Sequence, residues 1–348
     1  MSDASHTRRD DVHRTIRTMS LGTLWRMLRY PFILASMALI PRMMGDTDYG
    51  KYAYFISMFV ILDMMTDLGF MQVFGRFVPE YDRPGESGRL SVLLHGLSLF
   101  GVVLSLLMVA AFVLYHAIRP FAGFNLHWVV LLSLMLILTR VEGNLFSFLY
   151  GLNHIARFSA KEVLRSAATL VLVLGLYWTS GLEGALWGLV GCEIILCVVG
   201  AWWTREHLFQ PWRRGEVAFI RPLVVFGLSF YLPALLFGML QRSGNVFVQH
   251  LTHSSEQVAY FDVANQFLLL TATFLGLILQ TLLPALTKLH LGNEGGTIER
   301  WQGTVMTYCA ALAVLSFNAL AWMGRPVVTA LLGESFAPVI PNAWIISI

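Results

Sequence analysis

The sequence predicts an all-α integral membrane protein, and three observations lead there. Of the 348 residues, 56% are hydrophobic and 13% charged, against about 25% charged in a soluble domain. Apolar segments long enough to cross a bilayer, about 20 residues each, recur along the whole chain. Arginines and lysines gather in every second break between them. All the breaks are short and leave no room for a folded domain outside the membrane, which argues against a catalytic module.

About nine complete spans are expected, near 21–43, 51–73, 90–115, 127–149, 162–179, 182–203, 221–242, 257–282 and 301–323, and a tenth begins near Val327. Residues 1–20 precede them as a polar segment bearing Arg8, Arg9, Arg14 and Arg17, without the apolar stretch of a cleavable signal. Breaks on that side hold Arg76, Arg83 and Arg89, then Arg157, Lys161 and Arg165, then Arg205, Arg213, Arg214 and Arg221, then Lys288 and Arg300. The opposite breaks hold few: Arg42 and Lys51, Arg119, none near Gly181, Arg242, and Arg325. The positive-inside rule therefore predicts a cytoplasmic N-terminus.

The other composition signals are negative. Cys192, Cys197 and Cys309 fall in apolar runs and read as small core residues. There is no phosphate-binding GxxxxGK[ST], no HExxH and no Cys/His cluster with metal spacing, so neither a cofactor nor a metal is expected. The net charge is +3, its cations flank spans, and no nucleic-acid partner is expected. Histidines such as His95, His116, His127, His154, His250 and His253 lie mostly at span ends, where a solvated side chain is the simple reading.

Two stretches echo each other. DTDYGKYAYF opens the second span and HSSEQVAYFDVANQF opens the eighth, and the exits GRFVPEY and TLLPALTKLH both contain proline. Two related halves of a transporter produce such an echo. The expected organisation is a cytoplasmic segment 1–20, a first six-helix lobe 21–203, a cytoplasmic linker 204–220, and the start of a second lobe, 221–348, with about three spans and a partial fourth.

The first hairpin combines Gly45, Tyr49 and Gly50, an aromatic run, Asp67, Leu68 and Gly69, then Arg76, Phe77, Pro79, Glu80 and Tyr81. The eighth span adds Val258, Ala259, Tyr260 and Ala264, followed by Leu283, Pro284 and Leu286. These residues resemble the polysaccharide/oligosaccharide flippase family of the multidrug/oligosaccharidyl-lipid/polysaccharide exporter superfamily. The resemblance implies a multi-helix transporter bundle of two lobes (MATE-like) that alternates its access to the two sides. It implies a bacterial inner-membrane flippase that moves a lipid-linked oligosaccharide on a polyprenyl pyrophosphate carrier, for surface polysaccharide synthesis and without enzymatic chemistry. Membrane lipids, H+ or Na+, and a polysaccharide polymerase or other assembly proteins are the further partners it implies. Family members usually have more helices than are found here, and the chain stops within the apolar run PNAWIISI, so the second lobe is expected to be incomplete.

Polar residues inside spans mark the candidate site, because a charge in hydrocarbon costs about 3 kcal/mol or more unless it is paired or wet. In the first span Thr23, Arg26 and Arg29 share a face. The two arginines either snorkel to lipid phosphates or line a cavity and grip the carrier's pyrophosphate through paired hydrogen bonds. In the second span Asp63 and Asp67 lie one turn apart beside Thr66. Their mutual repulsion in low dielectric suits a step coupled to H+ or Na+, whereas Asp67 with Gly69 also reads as a cap or kink of the inner helix end.

Arg140 lies in the stripe Ser133, Arg140, Asn144, Ser147 of the fourth span, and Glu142 is about 200° around that helix from it. Asp63 is the expected partner, either as part of a wet cationic cavity between helices one, two and four or as a static strut. Asp262, Asn265 and Gln266 share a face of the eighth span, with Arg242 and Asn245 closing the seventh. They are expected to line the outer half of a sugar-sized path, with an end cap as the plainer role for Asp262. Glu193 has no evident partner.

Three other functions compete. A drug/cation antiporter of the same superfamily favours an acidic, aromatic cavity, whereas arginines accompany the acids here. A membrane glycosyltransferase or polysaccharide polymerase wants a long outer loop, which is missing. A non-transporting assembly subunit fits a truncated chain.

Overall fold

A computed structural model describes residues 2–82, 87–121, 123–208, 217–267, 269 and 295–347, with backbone alone over 2–24. Helix dominates, and no strand occurs among the described residues. The helices are α1 (Ser2–Thr66), α2 (Phe70–Tyr81), α3 (Ser87–Ile118), α4 (Leu126–Gly151), α5 (Ile155–Leu208) and α6 (Val217–Thr252). Then follow α7 (255–267), α8 (Gly295–Leu332), a 3₁₀ turn (Glu334–Phe336) and α9 (Val339–Ser347).

Helices α3, α4, α5 and α6 are long and apolar enough to cross a membrane, and α1 from Met27 together with α2, bent by 44°, makes a fifth such unit. This is a multi-pass helical membrane protein. Two glycines divide the longest helices where the hydropathy pattern predicts breaks. Gly45 (φ 72°, ψ 174°) interrupts α1, and Gly181 (φ 62°, ψ −148°) folds α5 between its two apolar halves. Both conformations are ones that L side chains rarely adopt.

Three boundaries differ from expectation. The second span, expected over 51–73, stops at Thr66 because the chain turns left-handed at Gly69 (φ 73°, ψ 30°) before α2. Arg242 and Asn245 do not close a helix, since α6 runs on to Thr252. No span begins at Val327. Helix α8 passes through Pro326 to Leu332 and stops at Gly333 (φ 101°). The second half of the eighth span, beyond residue 269, lies outside the described residues.

Packing divides the chain into two compact units, one of Met1–Ser36 with Lys51–His253 and one of Met37–Gly50 with Ser254–Ile348. In the first, Phe70, Val73, Phe74 and Val78 on one face of α2 meet Leu90, Leu93, Leu94 and Leu97 of α3, with Phe148 and Leu223. A second cluster sets Phe146 and Leu149 of α4 against Cys192 and Leu196 of α5. Lipid tails are as apolar as these side chains, so close packing rather than water exclusion holds such helices together.

Backbone proximity decides two motif glycines. A Cβ on Gly69 would lie 2.5 Å from the Gly227 carbonyl oxygen, so α6 crosses directly over the left-handed turn. In the second unit a Cβ on Gly50 would overlap the Ser255 carbonyl. Gly50→Ala is expected to lower stability by about 1–3 kcal/mol through overpacking. Gly143→Ala, with nothing within 4 Å of the added carbon, serves as a control that changes stability by less than about 0.5 kcal/mol. Thermal unfolding of the two purified variants checks the contrast.

Candidate functional site

Helix α4 begins at Asn125, whose side chain accepts a hydrogen bond from the Trp128 N–H (2.8 Å), and it carries Arg140 into the first unit with 6% of its side chain exposed. Arg140 Nη2 donates to Asp63 Oδ1 (2.9 Å), to the Asp63 carbonyl (3.1 Å) and to Thr66 Oγ1 (2.8 Å). Its Nη1 lies 3.4 Å from Asp67 Oδ1. The guanidinium also sits 5.7 Å from the centre of the Phe70 ring.

The left-handed turn explains this docking. By ending α1 at Thr66 it sets the negative end of a helix dipole against Arg140, which shares the Asp63 carbonyl with the Asp67 N–H (3.1 Å) and the Thr66 hydroxyl (2.8 Å). Asp67, half exposed, accepts from the Phe70 N–H (3.4 Å) and so caps α2 while facing Arg140. The expected Arg140–Asp63 pair is therefore present, and Asp67 bonds the start of α2, whereas the expected cap was at the inner end of α1. One turn along α4, Asn144 is buried, and its Nδ2 makes no hydrogen bond to the described residues. Gly101 of α3 faces both residues, since a Cβ there would lie 3.1 Å from Arg140 Cδ and 3.1 Å from Asn144 Nδ2.

A second charged group escaped the sequence reading. Glu142 Oε2 lies 3.0 Å from Lys161 Nζ, and Glu142 Oε1 accepts from Arg165 Nη2. Arg165 Nη1 reaches Glu193 Oε1 at 2.6 Å, and its Nη2 reaches Glu193 Oε2 at 3.3 Å. Two acids and two bases thus cancel inside the first unit. Glu193, which has no evident partner in the sequence, is gripped at both oxygens, and Lys161 and Arg165, which the sequence places at a break between spans, engage buried acids. The available signal was their i,i+4 spacing together with two acids left over inside apolar segments.

Arg29 of α1 pairs with Glu162 of α5 (Nη1–Oε2 3.2 Å), both about one-third exposed. The Arg26 side chain lies outside the described residues.

In the second unit the two echoing stretches meet. Tyr49 Oη donates to Asp262 Oδ2 (2.7 Å), while Tyr260 Oη donates to Asp46 Oδ2 (3.0 Å), so each stretch lends a phenol to the other's carboxylate. Gln266 Nε2 joins at 2.6 Å from Asp262 Oδ2 and 2.8 Å from Tyr49 Oη. The Tyr49 and Tyr260 rings both stand edge-on to Phe336, each with centroids 6.2 Å apart. Asp262 is not an end cap: it lies inside α7, buried, and Asn265 is buried beside it.

Among the described residues no group of three or more His, Cys, Asp or Glu side chains is placed to hold a metal ion. The arrangement can hold, neutralise and exchange charge within a helical bundle.

Comparison with known proteins supplies the family context. A family model described as polysaccharide biosynthesis protein matches residues 17–290. No curated protein matches the chain in sequence. Among solved structures, the crystal structure of MATE in complex with MaD5 superimposes with a TM-score of 0.54 at 16% identity, covering 95% of this chain and 76% of that one. The crystal structure of MATE in the bent conformation gives 0.54 and 16%, covering 95% of this chain and 75% of that one.

Proposed function

Because this chain belongs to the polysaccharide biosynthesis protein family, a flippase family of the multidrug/oligosaccharidyl-lipid/polysaccharide exporter superfamily, we propose that it moves a lipid-linked oligosaccharide across the bacterial inner membrane. The movement is alternating access between two lobes, with the N-terminus cytoplasmic and no covalent step. Arg26 and Arg29 attract the pyrophosphate of the carrier, Asp63 and Asp67 respond to the coupling ion, and Asp262, Asn265 and Gln266 serve the sugar. Surface polysaccharide assembly is the process served.

One observation carries this reading. Arg140 is buried with 6% of its side chain exposed, yet its acidic partners keep 25% (Asp63) and 49% (Asp67) of theirs open. Open carboxylates lower the desolvation cost of the group and leave the acids free to change partners. A charge group that must release and re-form contacts during a transport cycle needs such access.

The test is leaflet translocation of a fluorescent lipid-linked oligosaccharide in reconstituted vesicles. Arg140→Ala is expected to lower the rate by about tenfold or more, equivalent to about 1.4 kcal/mol of lost stabilisation. Equal rates for the wild type and the variant would remove Arg140 from the mechanism. A wild-type protein that scrambles no such lipid would remove the function.

A further inference from the structure

The Arg29–Glu162 contact is incomplete in a way that points to a second occupant. Only Nη1 of Arg29 meets Glu162, at 3.2 Å, whereas a guanidinium presents five donors in a fork that matches a carboxylate or phosphate through two parallel bonds. Nε of Arg29 is buried and has no hydrogen-bond partner among the described residues. Its guanidinium carbon lies 5.3 Å from the centre of the Tyr30 ring, within cation–π range. Both side chains of the pair keep about a third of their surface open.

By contrast, Arg165 spends both terminal nitrogens on carboxylates. Arg140 spends Nη2 on three acceptors at once. Arg29 therefore differs from both in meeting an acid through only one terminal nitrogen.

Resting on the reading of Arg29 as a carrier-binding residue, we propose that Glu162 is a latch: a carboxylate that occupies one edge of Arg29 until the diphosphate of a prenyl carrier displaces it. The incoming group takes the terminal nitrogens Nη1 and Nη2, and Glu162 retreats to water. Being anionic, Glu162 then repels the bound diphosphate and favours its release, so it sets the affinity of the site rather than creating it. Glu162 lies between Lys161 and the Arg165 turn of α5, and the neighbouring cations are already engaged by Glu142 and Glu193, which leaves Arg29 as its ion-pair partner among the described residues.

The experiment measures binding of farnesyl diphosphate to the full chain in nanodiscs. Glu162→Gln is expected to tighten binding about three- to fivefold, the range of a partly exposed ion pair. Glu162→Ala serves as a second variant should the first fold poorly. Arg29→Ala is expected to weaken binding, and adding Glu162→Gln to it should change nothing further.

A gain in Glu162→Gln that is erased by competing inorganic pyrophosphate supports the latch. A gain that pyrophosphate leaves intact belongs to the prenyl tail and overturns it. Weakened binding in Arg29→Ala with no gain in either Glu162 variant sinks the latch while leaving Arg29 as the binding residue. Unchanged binding in Arg29→Ala sinks the binding reading, and the latch with it.

Discussion

Arg165→Met is expected to destabilise the protein by about 3–5 kcal/mol, because it strips the shared cation from two buried carboxylates. Glu142 and Glu193 expose 2% and 4% of their side chains and depend on Arg165 between them. Lys161 still faces Glu142, so the unpaired charge falls on Glu193. The double variant Arg165→Met, Glu193→Gln removes one charge of each sign and leaves the Lys161–Glu142 pair intact. It is therefore expected to recover more than half of the loss. Chemical or thermal unfolding in detergent reads both values, and a double variant as unstable as the single one would show that packing around Arg165 matters more than charge balance.

Gly69→Ala is the second large effect. The left-handed backbone at Gly69 (φ 73°) costs an L residue about 1–2 kcal/mol. The added carbon also meets the Gly227 carbonyl at 2.5 Å, and relieving such crowding costs about 1–3 kcal/mol more. The summed loss is expected near 2–5 kcal/mol. Gly69→Asn separates the two causes, since asparagine tolerates the left-handed region but keeps the Cβ. If asparagine restores the wild-type unfolding midpoint, helix crossing at Gly227 is looser than the geometry implies. Because the turn also presents Asp63, Thr66 and Asp67 to Arg140, a loss of translocation beyond the loss of folded protein is expected in the alanine variant.

Much of the architecture was legible because hydrocarbon imposes a length and a polarity on every span. Helices α3 and α4 fall within a few residues of their expected limits, and the breaks at Gly45 and Gly181 coincide with polar gaps. The end of α1 at Thr66 was legible only in part: Asp67 with Gly69 marked a cap or kink there, but the apolar residues that continue to 73 hid that a left-handed glycine ends the helix.

The candidate site divides along similar lines. The contact of Arg140 with Asp63 followed from depth alone, for an arginine near mid-span with no helical neighbour must find an acid on another helix. The Arg165 group stayed hidden because Arg165 lies near a break and balances acids on two other helical segments. The Tyr49–Asp262 hydrogen bond joins residues 213 positions apart, a separation at which no local pattern signals a partner. The shared AYF echo marked both stretches without indicating that they exchange phenols.

The fold at Gly181 has a consequence for biogenesis. Arg165 and Glu193 sit 28 residues apart on the two arms of one helical element, so their neutralisation needs no distant part of the chain. An α-helical hairpin that pairs an arginine on one arm with a glutamate on the other enters the bilayer at lower cost than two arms inserted singly. Helix α5 can therefore carry one ion pair of its own into the bilayer, with Lys161 and Arg165 also meeting Glu142 of the preceding α4.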